Sequence, residues 1–188
     1  MSDPRRELGL LRSMAADLDA YIVSDILYWS LTDGGPFHHR YPQLTLGGLL
    51  LTQAKLRHLG ARLLPREQTD LAQTERQIAD IHSRWLANWK KKAGREIGVR
   101  LNAWARTAQE RNADDYPGAV LQRVMLELLL TDVSDDPATA PHRTRLATLD
   151  TLLRNRFDRG PFALDADLEP AFSPKPYWFL YGRPASSG

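Results

Sequence analysis

Apolar side chains recur at steps of three and four residues from Leu8 to Leu153, the spacing of helices that bury one face. Leu8, Leu11, Ala15, Leu18, Ile22, Ile26 and Trp29 predict a first helix over about 4–31, with Asp3 as its cap and Pro4 in its first turn. Asp25 falls on the same face, between Ile22 and Trp29. Gly34, Gly35 and Pro36 then stop propagation, and the loop Phe37-His38-His39-Arg40-Tyr41-Pro42 follows. Thr45 caps a second helix over about 46–64, in which Gly47 and Gly48 imply the close approach of another backbone. Pro65 ends that helix and can open the next, which makes the two a tight αα-hairpin.

The third predicted helix, over 65–112, organises the rest. At 1.5 Å per residue it would be about 72 Å long, whereas a compact domain of this length has a radius of gyration of about 16 Å. Either the helix bends near Gly94 or Gly98, or its first half projects and pairs with a second copy; one long, slightly kinked helix is the favoured expectation. Ile78, Ile81, Trp85, Trp89, Val99 and Ala103 form its core face, widened by Leu86, Ala93, Ile97, Leu101 and Trp104. A fourth helix, over about 118–131, is apolar nearly all round and should be the most buried. Ser134-Asp135-Asp136-Pro137 leads into a fifth, running to about 157.

From Gly160 five prolines forbid a long helix, yet Phe162, Phe172, Tyr177, Trp178, Phe179, Leu180 and Tyr181 are too apolar for a disordered tail. The expected fold class is thus all-α: about five helices over residues 1–159, one of them long and central. An extended, aromatic and Pro-rich C-terminal arm, residues 160–188, docks on them, with 177–181 as a strand-like piece.

Composition narrows the function classes. No run of apolar residues is long enough to span a bilayer, and the opening Met-Ser-Asp-Pro-Arg-Arg lacks the apolar stretch of a signal peptide, so a cytoplasmic location without membrane association is expected. The absence of cysteine removes disulfides, thiolate metal sites and cysteine nucleophiles. With 25 basic and 23 acidic residues, the net charge of +2 does not by itself imply a nucleic-acid partner. The cations are mostly arginine, the side chain suited to bidentate ion pairs and phosphate contacts.

Two constellations on the third helix remain. Lys92, Glu96 and Arg100 are spaced i, i+4, i+8 and fall inside the apolar arc, where Glu96 can reach a cation on either side. Buried charge costs several kcal/mol per ion unless paired, so these three, with Asp25 and Glu127 as candidate additions, are expected to form a buried network. It would either fix helix register or hold an anion. Arg84, Lys90, Lys91, Arg95 and Arg106 form a basic stripe on the outer side, a candidate surface for phosphates. His58, His82 and His142 fall on three helices without metal-binding spacing, and no phosphate loop, dinucleotide fingerprint or nucleophile elbow is present. No cofactor and no metal are expected. The pattern favours a non-enzymatic interaction or adaptor protein, self-associating or bound to a protein partner. Nucleic-acid binding through the stripe, and an anion-binding or enzymatic bundle using the Lys92, Glu96, Arg100 group, are the alternatives.

Overall fold

The structure, a computed structural model, describes residues 1–32, 41–109 and 116–185. Among the described residues the chain is all-α apart from one two-stranded ribbon. It divides into two compact units, Ser2–Ala93 and Gly94–Gly188. That division falls inside a helix, and the C-terminal arm belongs to the second unit.

The N-terminal unit contains α1 (Pro4–Val23), α2 (Leu46–Leu59), α3 (Pro65–Arg84) and the first turns of α4 (Leu86–Gln109). Asp3 caps α1 by accepting from the Arg5 N–H at 2.9 Å, and Leu11, Met14, Leu18, Tyr21 and Ile22 form its sealed face. The helix ends at Ser24 and does not reach Leu31. The cause is Asp17, whose carboxylate accepts from the Thr32 N–H at 2.8 Å and from Trp29 Nε1 at 3.3 Å. That carboxylate draws residues 24–32 back along α1, so Trp29 pairs with Leu44 as an isolated antiparallel bridge. Four-residue spacing alone carried Ile26 and Trp29 into the predicted helix.

Thr45 caps α2, accepting from the Gly48 N–H at 3.0 Å. A Cβ on Gly48 would lie 3.1 Å from that capping hydroxyl and 3.8 Å from Met14 Cε, so the close neighbours are side chains and not a backbone. A 3₁₀ turn, Gly60–Arg62, joins α2 to α3, and the Leu64 N–H donates to Glu67 Oε2 at 2.8 Å to complete the start of α3.

The predicted long helix is broken at Trp85, whose backbone leaves the helical region (φ −113°, ψ 31°) while its indole Nε1 donates to Asp19 Oδ1 at 2.9 Å. Gly94 and Gly98 remain inside α4. The break resets the helical phase. Trp89, Ala93, Ile97, Leu101 and Trp104 are buried, whereas Val99, expected in the core, is 43% exposed.

The C-terminal unit holds the remainder of α4, then α5 (Tyr116–Asp132), α6 (Ala140–Arg154), β1 (Phe157–Phe162) and β2 (Tyr181–Pro184). The strands pair antiparallel, Asp158 opposite Arg183 and Arg159 opposite Gly182, with an irregularity before Phe162 meets Tyr181. Between them run 3₁₀ turns at Ala166–Ala171 and Trp178–Leu180, so the predicted strand-like piece at 177–181 is a turn for most of its length. Leu168, Phe172, Phe179 and Leu180 are buried, and the Tyr116 hydroxyl donates to the Phe179 carbonyl at 2.7 Å. The His38-His39 loop, the Gly34-Gly35-Pro36 stop and the loop after α4 lie outside the described residues.

Candidate functional site

The three members of the predicted charge ladder are all buried, at 3% exposure for Lys92, 0% for Glu96 and 3% for Arg100. They serve different units. Lys92 Nζ donates to the carbonyls of Ser24 at 2.9 Å and Ile26 at 2.7 Å, and lies 4.0 Å from the centre of the Tyr21 ring. It therefore closes the C-terminal end of α1, where unsatisfied carbonyls and the helix dipole favour a cation. In the C-terminal unit Arg100 binds Glu96 Oε1 through Nε at 2.7 Å and Nη2 at 2.6 Å, and its Nη1 donates to Gln122 Oε1 on α5.

The candidate additions sit elsewhere. Asp25 is exposed, because α1 ends before it. Glu127 is partly exposed and pairs with Arg123 of its own helix at 2.7 Å, not with a cation of α4.

Arg123, which the sequence reading passed over, is the most enclosed cation of the C-terminal unit. Its Nη2 meets Asp150 Oδ2 at 2.8 Å, and its guanidinium lies 4.5 Å from the Phe179 ring centre and 5.9 Å from that of Trp104. Trp104 Nε1 donates to Asp150 Oδ1 at 3.1 Å, so one carboxylate ties α4, α5 and α6 together. Burial pushes the neighbouring Tyr116 phenol well above its usual value; the Arg123 charge pulls it down and the Asp150 charge raises it further. Arg156 and Arg143 close helix ends as Lys92 does. Arg156 Nη2 donates to the carbonyls of Thr107 (3.1 Å) and Ala108 (2.7 Å), and Arg143 Nη2 to that of Leu130.

The basic stripe is less continuous than its sequence spacing implies. Arg84 is the last residue of α3, beyond the break at Trp85, and pairs with Asp19 at 3.5 Å. Lys91, Arg95 and Arg106 are exposed on α4, and Lys90 is half-buried. Among the described residues no three His, Asp or Glu side chains gather closely enough to hold a metal ion. His58 is exposed, and His82 packs edge-on against Trp89 with ring centres 4.7 Å apart.

The ribbon carries the arrangement most capable of binding. Arg154, Phe157, Arg159, Gly160, Trp178 and Tyr181 line a groove of about 550 Å³ that contains no carboxylate. Arg154 at the end of α6 lays its guanidinium 4.5 Å from the centre of the Trp178 ring, which Phe157 meets edge-on at 5.0 Å. A second groove, of about 730 Å³, shares Arg159 and Gly160 with the first and adds Tyr116, Phe162 and Arg183, with Asp158 its one acid. Arg154, Arg159 and Arg183 are exposed, and no described residue forms an ion pair with any of them. The aromatic content of the arm was legible in the sequence. The three arginines were not, because the pairing that gathers them joins residues more than twenty positions apart.

No protein-family model, curated protein or solved structure matches the chain.

Proposed function

We propose that the protein is a non-enzymatic interaction module that holds an anionic partner on the ribbon of its C-terminal unit. The observation that carries this reading is the contrast between two sets of cations. Lys92, Arg100, Arg123, Arg143 and Arg156 are engaged by helix ends or carboxylates. Arg154, Arg159 and Arg183 face solvent beside aromatic rings, in grooves with a single acid between them. Exposed arginines without a carboxylate partner cost little in water but become strong, geometrically specific contacts once a phosphate or carboxylate arrives. The grooves are open and contain no juxtaposed nucleophile and base, which favours binding over catalysis.

The test is titration with flexible polyphosphate while following tryptophan fluorescence, at two salt concentrations. Saturable binding that weakens as salt rises is expected. No binding even at low salt would remove the reading. Self-association is a second reading, favoured by Val23, Ile26 and Tyr28, which stand 49%, 52% and 45% exposed within one short segment. Light scattering across the micromolar range decides it, a mass that stays at 21.3 kDa counting against it. No helix among the described residues is long and apolar enough to cross a membrane.

A further inference from the structure

We infer that the anionic partner is a single-stranded nucleic acid, laid along the two grooves with bases stacked on the Trp178 and Tyr181 side and phosphates on Arg154, Arg159 and Arg183. This rests on the ribbon being the binding surface, as proposed above, and adds to it the class of ligand.

Three features select that class. The first is the alternation of cation and ring. A ligand that offered only charge would gain nothing from Trp178, Tyr181 and Phe157, whereas a single strand offers a flat base and a phosphate at each step, the two groups such a surface engages together. Arg154 already lies over the Trp178 ring, its Cζ 4.5 Å from the ring centre, so a cation and an aromatic ring are presented together. Trp178 is held by Phe157 and by Phe179, 5.9 Å away, while the Tyr181 hydroxyl donates to the Phe172 carbonyl at 2.7 Å. Neither ring pays much ordering cost when a base arrives.

The second feature is continuity. Arg159 and Gly160 line both grooves, whose volumes of about 550 and 730 Å³ are each as large as a small-molecule pocket. A mononucleotide would occupy one and leave the other empty; a chain of nucleotides fills both. Gly160 and Gly182 pack closely across the ribbon, a Cβ built on Gly160 lying 3.5 Å from the Gly182 Cα.

The third is the exclusion of a duplex by the same geometry. A duplex presents its bases edge-on inside grooves and would leave the aromatic faces unused, so the rings discriminate in favour of unpaired bases.

The experiment is fluorescence anisotropy of the full chain with labelled twelve-nucleotide oligo(dT), the corresponding dT·dA duplex, and polyphosphate as competitor, at 50 and 200 mM salt. The single strand should bind at least tenfold more tightly than the duplex. Arg159→Gln removes a side chain that has no ion-pair partner among the described residues. It should weaken binding and lower the dependence of log K on log salt by about 0.7, the loss of one phosphate contact on a single strand. Trp178→Ala should weaken binding by about 5- to 160-fold, the effect of losing one stacked base. Trp178→Phe, which keeps a ring, should recover part of it and guards against a folding defect, with thermal melting run on each variant.

If the duplex binds as well as the single strand, or Trp178→Ala binds as the parent does, the assignment to single-stranded nucleic acid is overturned. If polyphosphate binds and the oligonucleotide does not, the ligand class is wrong while the anionic-partner reading stands. If neither binds at 50 mM salt, both fall.

Discussion

Asp150 on α6 holds the guanidinium of Arg123 on α5, Nη2 to Oδ2 at 2.8 Å, where Arg123 keeps only 2% of its side-chain surface exposed. The ion is satisfied on several sides, by Asp150, by Glu127 and by the faces of Phe179 and Trp104. Removing one partner of a buried pair leaves an uncompensated charge, at a cost of about 3–5 kcal/mol. Asp150→Ala should therefore lower the urea midpoint steeply, and it also strips Trp104 Nε1 of its acceptor. Replacing both members, Arg123→Met with Asp150→Leu, should cost less than Asp150→Ala alone, since no buried charge is stranded. A double variant no more stable than the single would show that the carboxylate matters for something other than Arg123.

Glu96 and Arg100 form the second such pair, with exposures of 0% and 4% for their side chains. Glu96→Ala should be destabilising on the same scale, about 3–5 kcal/mol, and Glu96→Gln, which still accepts from Arg100, should cost less. Lys92→Met tests the other end of the ladder. It leaves the Ser24 and Ile26 carbonyls without their donor, at about 1–3 kcal/mol, and should speed hydrogen exchange at the end of α1 selectively. A melting temperature unchanged by Glu96→Ala would mean that the group is solvated.

Most of the helical plan was readable from spacing and caps. Asp3, Thr45 and Pro65 start their helices where expected, because capping is a local event between a side chain and a backbone two or three residues away. The misplaced boundaries have non-local causes. Asp17 reaches fifteen residues along the chain to end α1 early, and Asp19 meets Trp85 at a sequence separation of 66. The ladder was found because charges inside an apolar arc stand out in the sequence. The ribbon arginines were missed for the opposite reason: Arg154, Arg159 and Arg183 are unremarkable at their own positions and become a surface only when β1 pairs with β2.

Gly94 sits in a continuous stretch of α4. It was a natural place for a bend, yet it lies inside α4, and a Cβ built on it meets nothing within 4 Å. Gly94→Ala should then stabilise the protein by about 0.4–1 kcal/mol, through reduced freedom of the unfolded chain and the better helix propensity of alanine. Destabilisation by that change, read from the thermal midpoint, would show that α4 does bend there.

Tyr116 sets the alkaline limit. Its ordinary value is 10.0, and burial raises it in the folded chain. The folded state therefore keeps a proton that the unfolded state releases above about pH 10, so the unfolded chain binds fewer protons and stability falls as pH rises. The contribution is fully present below pH 10 and is lost above it, at up to about 1.4 kcal/mol per pH unit. Tyr116→Phe should be less stable at pH 7, because the Phe179 carbonyl loses its donor, but its stability should decline less steeply above pH 10. Parallel denaturation curves for the two proteins from pH 9 to 11 would contradict the burial of the phenol.

Gly182 offers the sharpest test of the ribbon. Its φ of +152° lies where side chains are rarely tolerated, and an added Cβ would fall 2.1 Å from the Asp158 carbonyl oxygen and 2.6 Å from Phe157 Cε1. One of these atoms is backbone, so the strand must move. Backbone strain of this kind costs about 1–3 kcal/mol before any clash is counted. Gly160, on the facing strand beside Arg159, has room for a methyl group at ordinary contact distance. Gly182→Ala should unpair β1 from β2, exposing the amides of Ala163 and Ala185 to exchange and separating Arg159 from Arg183, while Gly160→Ala should leave both intact. Hydrogen exchange at those two amides, measured beside oligonucleotide affinity, reads the fold and the binding surface together. Equal protection in the two variants would mean that Gly182 is not opposite Arg159, and the gathering of arginines on which the binding surface depends would be lost with it.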